Sequence, residues 1–195
     1  MRLFALLVFV TSLLIAPLTA RAAEDPVVVF ETTKGMVFIK LDPAHAPKSV
    51  ANFLGYVQSG FYNNTMFHRV IKSKDMSIVQ GGGFGAGFTR KATLPPIPCE
   101  SNNGLRNEAG TIAMARTSDP DSGTSQFFIN IQDNPHLNFR SATPEGMGYA
   151  VFGKVIRGMN VFQEIATLRT ISKGMFDNVP VEEMLILKAY VYQER

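Results

Sequence analysis

Phe67-His68-Arg69-Val70-Ile71 and, further along, Ser125-Gln126-Phe127-Phe128-Ile129-Asn130 are the stretches on which the reading of this chain turns. Each sets a polar side chain beside an aromatic in a run that otherwise reads as a buried β-strand. An arginine or a glutamine is costly to bury unless something needs its donors. Two more segments join them: Gln80-Gly81-Gly82-Gly83-Phe84 lies between the pair, and Met114-Ala115-Arg116 stands shortly before the second.

Outward from these segments, the pattern is one of many short strands. Val27 to Phe30 and Met36 to Leu41 are β-rich runs parted by Thr33-Lys34-Gly35, which predicts a hairpin. Pro47 stands where a helix can begin, since its missing N–H costs little there. Val50, Phe53, Leu54 and Val57 then fall at i, i+3, i+4 and i+7, one apolar face of that helix, and Gly60 is placed to end it. Further strands are predicted at Phe67–Ile71, Ile78–Gln80, Thr111–Ala115, Gln126–Ile131 and Tyr149–Val155. A short helix is predicted over Gly158–Ala166 and a closing strand over Met184–Tyr192. Gly81 to Gly110 and Asn134 to Gly148 read as long loops, which in a compact domain are usually either functional or disordered. The whole suits a mainly β domain, closed so that no strand edge is left free.

The first residues stand apart. Arg2 precedes an almost continuously apolar run from Leu3 to Ala16, and Ala20-Arg21-Ala22 supplies small residues at a cleavage spacing. That is the layout of a secretory leader, and the apolar run is short of the roughly 20 residues that cross a bilayer. Cleavage after Ala22 is expected, with residues 1–22 as signal peptide and 23–195 as one domain. The mature chain would hold 195 − 22 = 173 residues, enough for one sizeable core. Losing Arg2 and Arg21 takes the formal charge from +3 to +1, with no basic stripe of the kind that binds nucleic acid. No further segment is long and apolar enough to hold the chain in a membrane. The single cysteine, Cys99, has no partner for an internal disulfide and reads as a lone loop thiol. Three histidines and one cysteine, widely separated, give no metal-ligand spacing. The run Gly81 to Gly87 lacks the Gly-Lys-Ser/Thr ending of a phosphate loop and reads as a close-approach turn.

Taken in order, the four polar-aromatic segments resemble the active face of the cyclophilins, peptidyl-prolyl cis/trans isomerases, over roughly Val27 to the C-terminus. The resemblance implies a closed eight-stranded antiparallel barrel capped by two helices, and an enzyme that accelerates X–Pro rotation with no cofactor. It implies that Arg69 is the catalytic donor to the proline nitrogen, and that His68 beside it is structural. It implies that Phe128 forms the floor of a proline slot and Leu137 one wall, and that Gln80 and Gln126 stand beside the substrate. The main chain at Ala115 and Arg116 would pair with an extended peptide, and Phe127 would face the core. The partners implied are proline-containing unfolded or extended polypeptides, met in the periplasm by a monomer during folding of exported proteins. Without the other segments, Arg69 would read as an arginine snorkelling from a strand end.

Three departures from the family pattern matter. Lys72-Ser73-Lys74-Asp75-Met76-Ser77-Ile78-Val79 replaces a shorter segment. Counting back from Gln80 sets Ser77 where the family has a pocket phenylalanine and Ile78 where it has a methionine, with Met76 as a flexible filler. His136 stands where cyclosporin-sensitive members carry tryptophan, so weak cyclosporin binding is expected. Tyr149 matches a groove histidine. The first departure leaves a second reading open, a proline-peptide binding module or chaperone with little turnover.

Overall fold

Residues 24–193 are described by the computed structural model; the expected leader, residues 1–22, lies outside them. Within that span the elements run β1 (Val27–Thr32), β2 (Gly35–Leu41), α1 (Pro47–Gln58), β3 (Thr65–Lys72), β4 (Ser77–Gly85), β5 (Thr89–Arg90) and β6 (Thr111–Met114). They continue as β7 (Phe127–Asn130), β8 (Val151–Arg157), α2 (Met159–Ile165), β9 (Thr170–Lys173), β10 (Phe176–Pro180) and β11 (Leu185–Val191).

Eight of the strands form the expected barrel. Their order is β3-β11-β1-β2-β8-β6-β7-β4, and β4 pairs back onto β3 to close it. Every one of these pairings is antiparallel. Alternate residues of each strand point inward, and here an aromatic cluster stands among the inward aliphatic side chains. Phe30, Phe67, Phe127 and Phe152 are fully buried together with Phe53 of α1 and Phe162 of α2. Phe127 is the hub, with ring centroids 5.6 Å from both Phe30 and Phe53. Tyr62 joins them, and its hydroxyl donates to the Ser125 carbonyl at 2.8 Å. The two ends of the domain lie side by side, since β1 pairs with β11 and the Tyr192 N–H donates to the Val27 carbonyl at 2.8 Å.

Helix α1 shows how loop and helix are tied. Pro47 sits in its first turn and Ala46 caps it without a side-chain bond. The capping comes instead from Glu100, far along the chain. Its carboxylate accepts from the Lys48 N–H at 3.0 Å and from both the N–H and the hydroxyl of Ser49 at 2.7 Å. A negative charge at a helix start is also favoured by the peptide dipoles. Glu100→Ala is expected to cost about 1–2 kcal/mol in urea unfolding, the usual worth of a lost cap. At the other end Gly60 takes φ +70°, where a side chain would be strained. There Gly60 N–H bonds Val57 O and Phe61 N–H bonds Tyr56 O, each at 3.0 Å. That pair of bonds is the Schellman ending, and the Tyr56 and Phe61 rings meet at 4.6 Å across it.

Three expectations are corrected. The glycine run is not a turn: Gly81 to Gly85 continue strand β4, and the loop proper begins only after β5. Gln126 precedes its strand by one residue. An additional hairpin, β9 with β10, lies in a stretch that had given no strand signal. Its outer residues are mostly exposed, so apolar alternation is absent there.

Candidate active site

Strict alternation along β3 would send Phe67 and Arg69 to the same side. Phe67 is fully buried in the barrel, so Arg69 would be forced inward as well. A β-bulge prevents it. Phe67 is registered with Gly81 and Arg69 with Gln80, leaving His68 as a surplus residue. The extra residue resets the alternation. Phe67 and Val70 face the core while Arg69, between them, points out and is exposed. The arginine is therefore not buried, as its surroundings in the sequence suggested; the strand is buried and the guanidinium is turned out of it.

Arg69 Nη1 lies 3.4 Å from Gln80 Oε1, and Gln80 Nε2 donates to Gln126 Oε1 at 2.9 Å. The three side chains thus form one polar line across β3, β4 and the start of β7. Glycine is what lets the backbones come so close. A Cβ on Gly82, at φ +84°, would lie 2.7 Å from the Ser125 carbonyl, and one on Gly83 would strike the Gln126 amide at 2.7 Å.

Beside this line lies an apolar cluster separate from the barrel core. Ile78, Ala113, Ala115, Phe128, Leu137 and Val151 form it, with half-buried Met76 and Tyr149 packed against them. Alternation along β7 divides two adjacent rings: Phe127 enters the core and Phe128 this outer cluster. Phe128 is 2% exposed, with Tyr149 edge-on at 5.5 Å. The Arg116 guanidinium lies 4.8 Å over the Tyr149 ring and donates to the carbonyls of Gly148, Thr117 and Pro144. Ala115 donates its N–H to the Gln126 carbonyl at 2.9 Å. Leu137 and His136 belong to one 3₁₀ turn, Pro135–Leu137, in which Leu137 is buried and His136 exposed. Of the eleven residues expected at the site, ten therefore join the polar line or the apolar cluster and its immediate packing. His136 makes no hydrogen bond or ring contact with the others.

Sequence reading gave no role to three buried asparagines that hold this surface together. Asn134 Nδ2 donates to Asn130 Oδ1 at 2.8 Å and to the Ser77 carbonyl at 3.1 Å, while Asn134 Oδ1 accepts from the Ser77 N–H at 3.2 Å. Asn130 Nδ2 donates in turn to Asn107 Oδ1 at 3.1 Å and Thr111 Oγ1 at 2.9 Å. Asn107 Nδ2 reaches the Leu137 carbonyl at 3.0 Å. The one signal for it was Asn130 itself, an amide closing an otherwise apolar strand. Ser77, at the position of the missing aromatic, is buried and tied into this network.

His68 is buried, packs 4.8 Å from the Phe84 ring, and leaves Nδ1 without a hydrogen-bond partner. Burial pulls its pKa down from 6.5 to about 4, and the neighbouring Arg69 charge acts in the same direction. The folded protein thus keeps the ring neutral where the unfolded chain takes up a proton. Stability is untouched above pH 6.5 and falls as the pH drops toward 4, by about 3 kcal/mol from this group. Urea unfolding at pH 7 and pH 4 checks this: His68→Gln should remove most of the pH-dependent loss, and an unchanged loss would discard it. A neutral, enclosed ring also suits a structural part better than proton transfer. Among the described residues no group of three or more His, Cys, Asp or Glu is placed to hold a metal.

This geometry can be set beside known proteins. The family model described as cyclophilin type peptidyl-prolyl cis-trans isomerase/CLD matches residues 27–191. Peptidyl-prolyl cis-trans isomerase B of Escherichia coli strain K12 is 49% identical over 159 residues, covering 82% of this chain and 95% of that protein. Peptidyl-prolyl cis-trans isomerase A of Dickeya dadantii is 45% identical over 193 residues, 99% of this chain and 98% of its own. A crystal structure of a cyclophilin type isomerase from Cryptosporidium parvum, solved in the presence of the dipeptide Ala-Pro, superposes with a TM-score of 0.68. It is 26% identical and covers 86% of this chain and 99% of that one. With the closed barrel, the outward arginine and these matches in agreement, the chain belongs to the cyclophilin-type peptidyl-prolyl cis-trans isomerases.

Proposed function

We propose that Arg69, held by Gln80 at the edge of the Phe128 cluster, is the catalytic group, and that the chain turns X–Pro bonds in exported proteins as they fold. Rotation about such a bond faces a barrier of about 18–20 kcal/mol because the amide C–N bond is partly double. No covalent bond breaks. The protein need only bind the twisted amide better than either planar form, and each ~1.4 kcal/mol of that preference gives tenfold in rate. In the twisted state the proline nitrogen recovers a lone pair. A fixed donor aimed there is worth more at the barrier top than in the ground state. Arg69 suits that role. It is charged at any ordinary pH, carries a rigid fork of N–H groups, and makes no salt bridge among the described residues. The outward turn of this one guanidinium beside an apolar cluster carries the reading.

Phe128 and Leu137 would receive the proline ring, with Ile78, Met76 and Tyr149 around it. Met76 is flexible enough to move aside from the little-exposed Phe128. Gln80 and Gln126 would hold the substrate carbonyl and line the groove. The main chain at Ala115 and Arg116 would take an extended peptide as an added strand, which reads backbone more than side chains. Supporting a proline-containing ligand is the structural relative solved with Ala-Pro. The leader-like residues 1–22 support export, with cleavage after Ala22 and a domain over 23–195; the resemblance to exported bacterial cyclophilins supports work in the periplasm, and we propose that the domain acts there as a monomer.

A protease-coupled assay on an X–Pro peptide tests the proposal, which expects clear acceleration over the uncatalysed exchange of tens to hundreds of seconds. The absence of any acceleration would favour the second reading, a proline-peptide binder or chaperone. One observation lends that reading weight: buried Ser77 occupies the position where the family places a pocket aromatic. His136, exposed and without tryptophan's large apolar face, should leave cyclosporin weakly bound. A submicromolar dissociation constant by calorimetry would refute this.

A further inference from the structure

Methionine is a side chain that an oxidant can alter reversibly, by adding one oxygen to its sulfur. The methionines of this domain differ in what can reach them. Met66, Met114 and Met184 are buried, whereas Met36 and Met175 are exposed, Met175 to 90%. Met76, Met147 and Met159 lie between these extremes. Among the described residues, Met76 is the one methionine packed against the apolar cluster that holds Ile78, Phe128 and Leu137. It ends the turn 73–76, which closes the hairpin of β3 and β4, the two strands carrying Arg69 and Gln80. Its backbone is fixed on both sides. The Met76 N–H donates to Ser73 Oγ at 3.0 Å, and the Ser73 N–H donates to the Met76 carbonyl at 2.9 Å. The next residue, Ser77, is tied to Asn134. A change at the sulfur is therefore not carried off by the turn and falls on the cluster.

We infer that Met76 is a site of reversible oxidation by peroxides, and that its sulfoxide weakens the protein's hold on proline. The inference rests on the proposed function for where the proline enters. In the forward step the sulfur lone pair attacks one peroxide oxygen as the O–O bond breaks. An S–O bond forms and the sulfur loses two electrons. The other oxygen takes up the proton of the transferred one and leaves as water. A thiol-dependent sulfoxide reductase reverses the change: two thiols become a disulfide, and the oxygen departs as water. The sulfoxide is a polar hydrogen-bond acceptor. The buried side chains of the cluster, Ile78, Ala113, Ala115, Phe128, Leu137 and Val151, are all apolar, so none can donate to it. Kept there and dry, it is an unsatisfied acceptor; turned to water, it forfeits contact with the proline ring. Either course costs affinity. No aromatic makes good the loss, because Ser77, at the position of the family's pocket ring, is buried in the asparagine network. The Arg69–Gln80–Gln126 line is built without Met76, so rotation of a bound amide continues.

The test treats the purified protein with hydrogen peroxide, and peptide mapping by mass spectrometry reads which methionines gain oxygen. Chemical-shift titration with an X–Pro peptide reads affinity, and two-dimensional exchange NMR reads turnover at saturation. As Met76 sulfoxide accumulates, the dissociation constant should rise about fivefold, near the worth of one methylene of apolar contact. The saturated rate should change by less than about twofold, since the donor line is intact. Sulfoxide reductases of both epimer specificities should restore the original affinity. A protein carrying Met36→Leu, Met175→Leu and Cys99→Ser should lose affinity in the same way, which separates the exposed methionines and the lone thiol from the effect. Met76→Leu, whatever its starting affinity, should hold that affinity through the treatment. Met76 left unmodified while Met147 and Met159 take up oxygen overturns the inference. Full conversion of Met76 with unchanged affinity overturns it too, as does a loss that persists in Met76→Leu. If the untreated protein binds the peptide without accelerating its exchange, the isomerase reading fails separately, and the titration still decides the role of Met76.

Discussion

Arg69→Ala should lower kcat/KM for X–Pro isomerisation by about a hundredfold or more, while peptide binding weakens only a few-fold. The first figure is what removal of one preorganised transition-state donor costs in other sites. The second follows from the cluster, since Phe128, Ile78, Leu137 and the Ala115 main chain do not depend on the guanidinium for their positions. Arg69→Lys should recover little. A lysine keeps the charge but replaces a planar fork by a mobile point donor, and the Gln80 carbonyl would no longer meet a fixed partner. Exchange NMR at saturating and limiting peptide separates the two quantities. A variant that loses binding and rate equally would show that Arg69 only holds the ground state. A variant that keeps wild-type turnover would remove the proposed mechanism altogether.

The second large effect is expected far from the donor. Asn134→Ala orphans the Ser77 N–H and Asn130 Oδ1 and removes one of two donors to the Ser77 carbonyl, which keeps the Ile131 N–H at 3.0 Å, all within a buried region. Each orphaned buried group costs about 1–3 kcal/mol, so a total near 3 kcal/mol is expected after some relaxation. For a domain of this size that lowers Tm by about 10 °C. The functional part of the prediction is more telling. Ser77 opens strand β4 just before Ile78, and Asn134 caps the turn that carries Leu137. Loosening their link should weaken peptide binding while sparing the Arg69–Gln80–Gln126 line, which does not touch it. Calorimetry of unfolding and peptide titration read the two parts. A stable variant with unchanged peptide affinity would show that the asparagine chain is dispensable to the groove.

Much of this was legible in the residues. Apolar spacing located α1 from Val50, Phe53 and Val57, and runs of β-branched and aromatic residues located the barrel strands. What the pattern could not carry was any feature that departs from its period. The bulge at His68 is invisible to an alternation rule, since its surplus residue is defined only by the strand opposite. Hence Arg69 read as buried when it is exposed. The glycines of β4 read as a turn because glycine usually punctuates; here it makes room for the Phe67 ring, the Ser125 carbonyl and the Gln126 amide. The cap on α1 comes from Glu100, roughly fifty residues away, and no local signal announces it. The β9–β10 hairpin was missed because its strands face solvent, although Gly174-Met175 between them spans a two-residue turn. The candidate site residues were named by their likeness to a known family more than by physics. The asparagine network, which that likeness did not prompt, was found only in three dimensions.

The neighbouring ends of β1 and β11 have a consequence for how this domain can be attached to anything else. Going round the eight-strand circle, β1 stands diametrically across from β7, the strand that carries Phe128. A leader still joined ahead of Val27, or a tether fused past Tyr192, departs from the rear wall and leaves the groove mouth open. The same adjacency makes the chain a candidate for circular permutation, with old termini spliced and new ones cut in an exposed loop. Such a rewired domain should keep its substrate face intact.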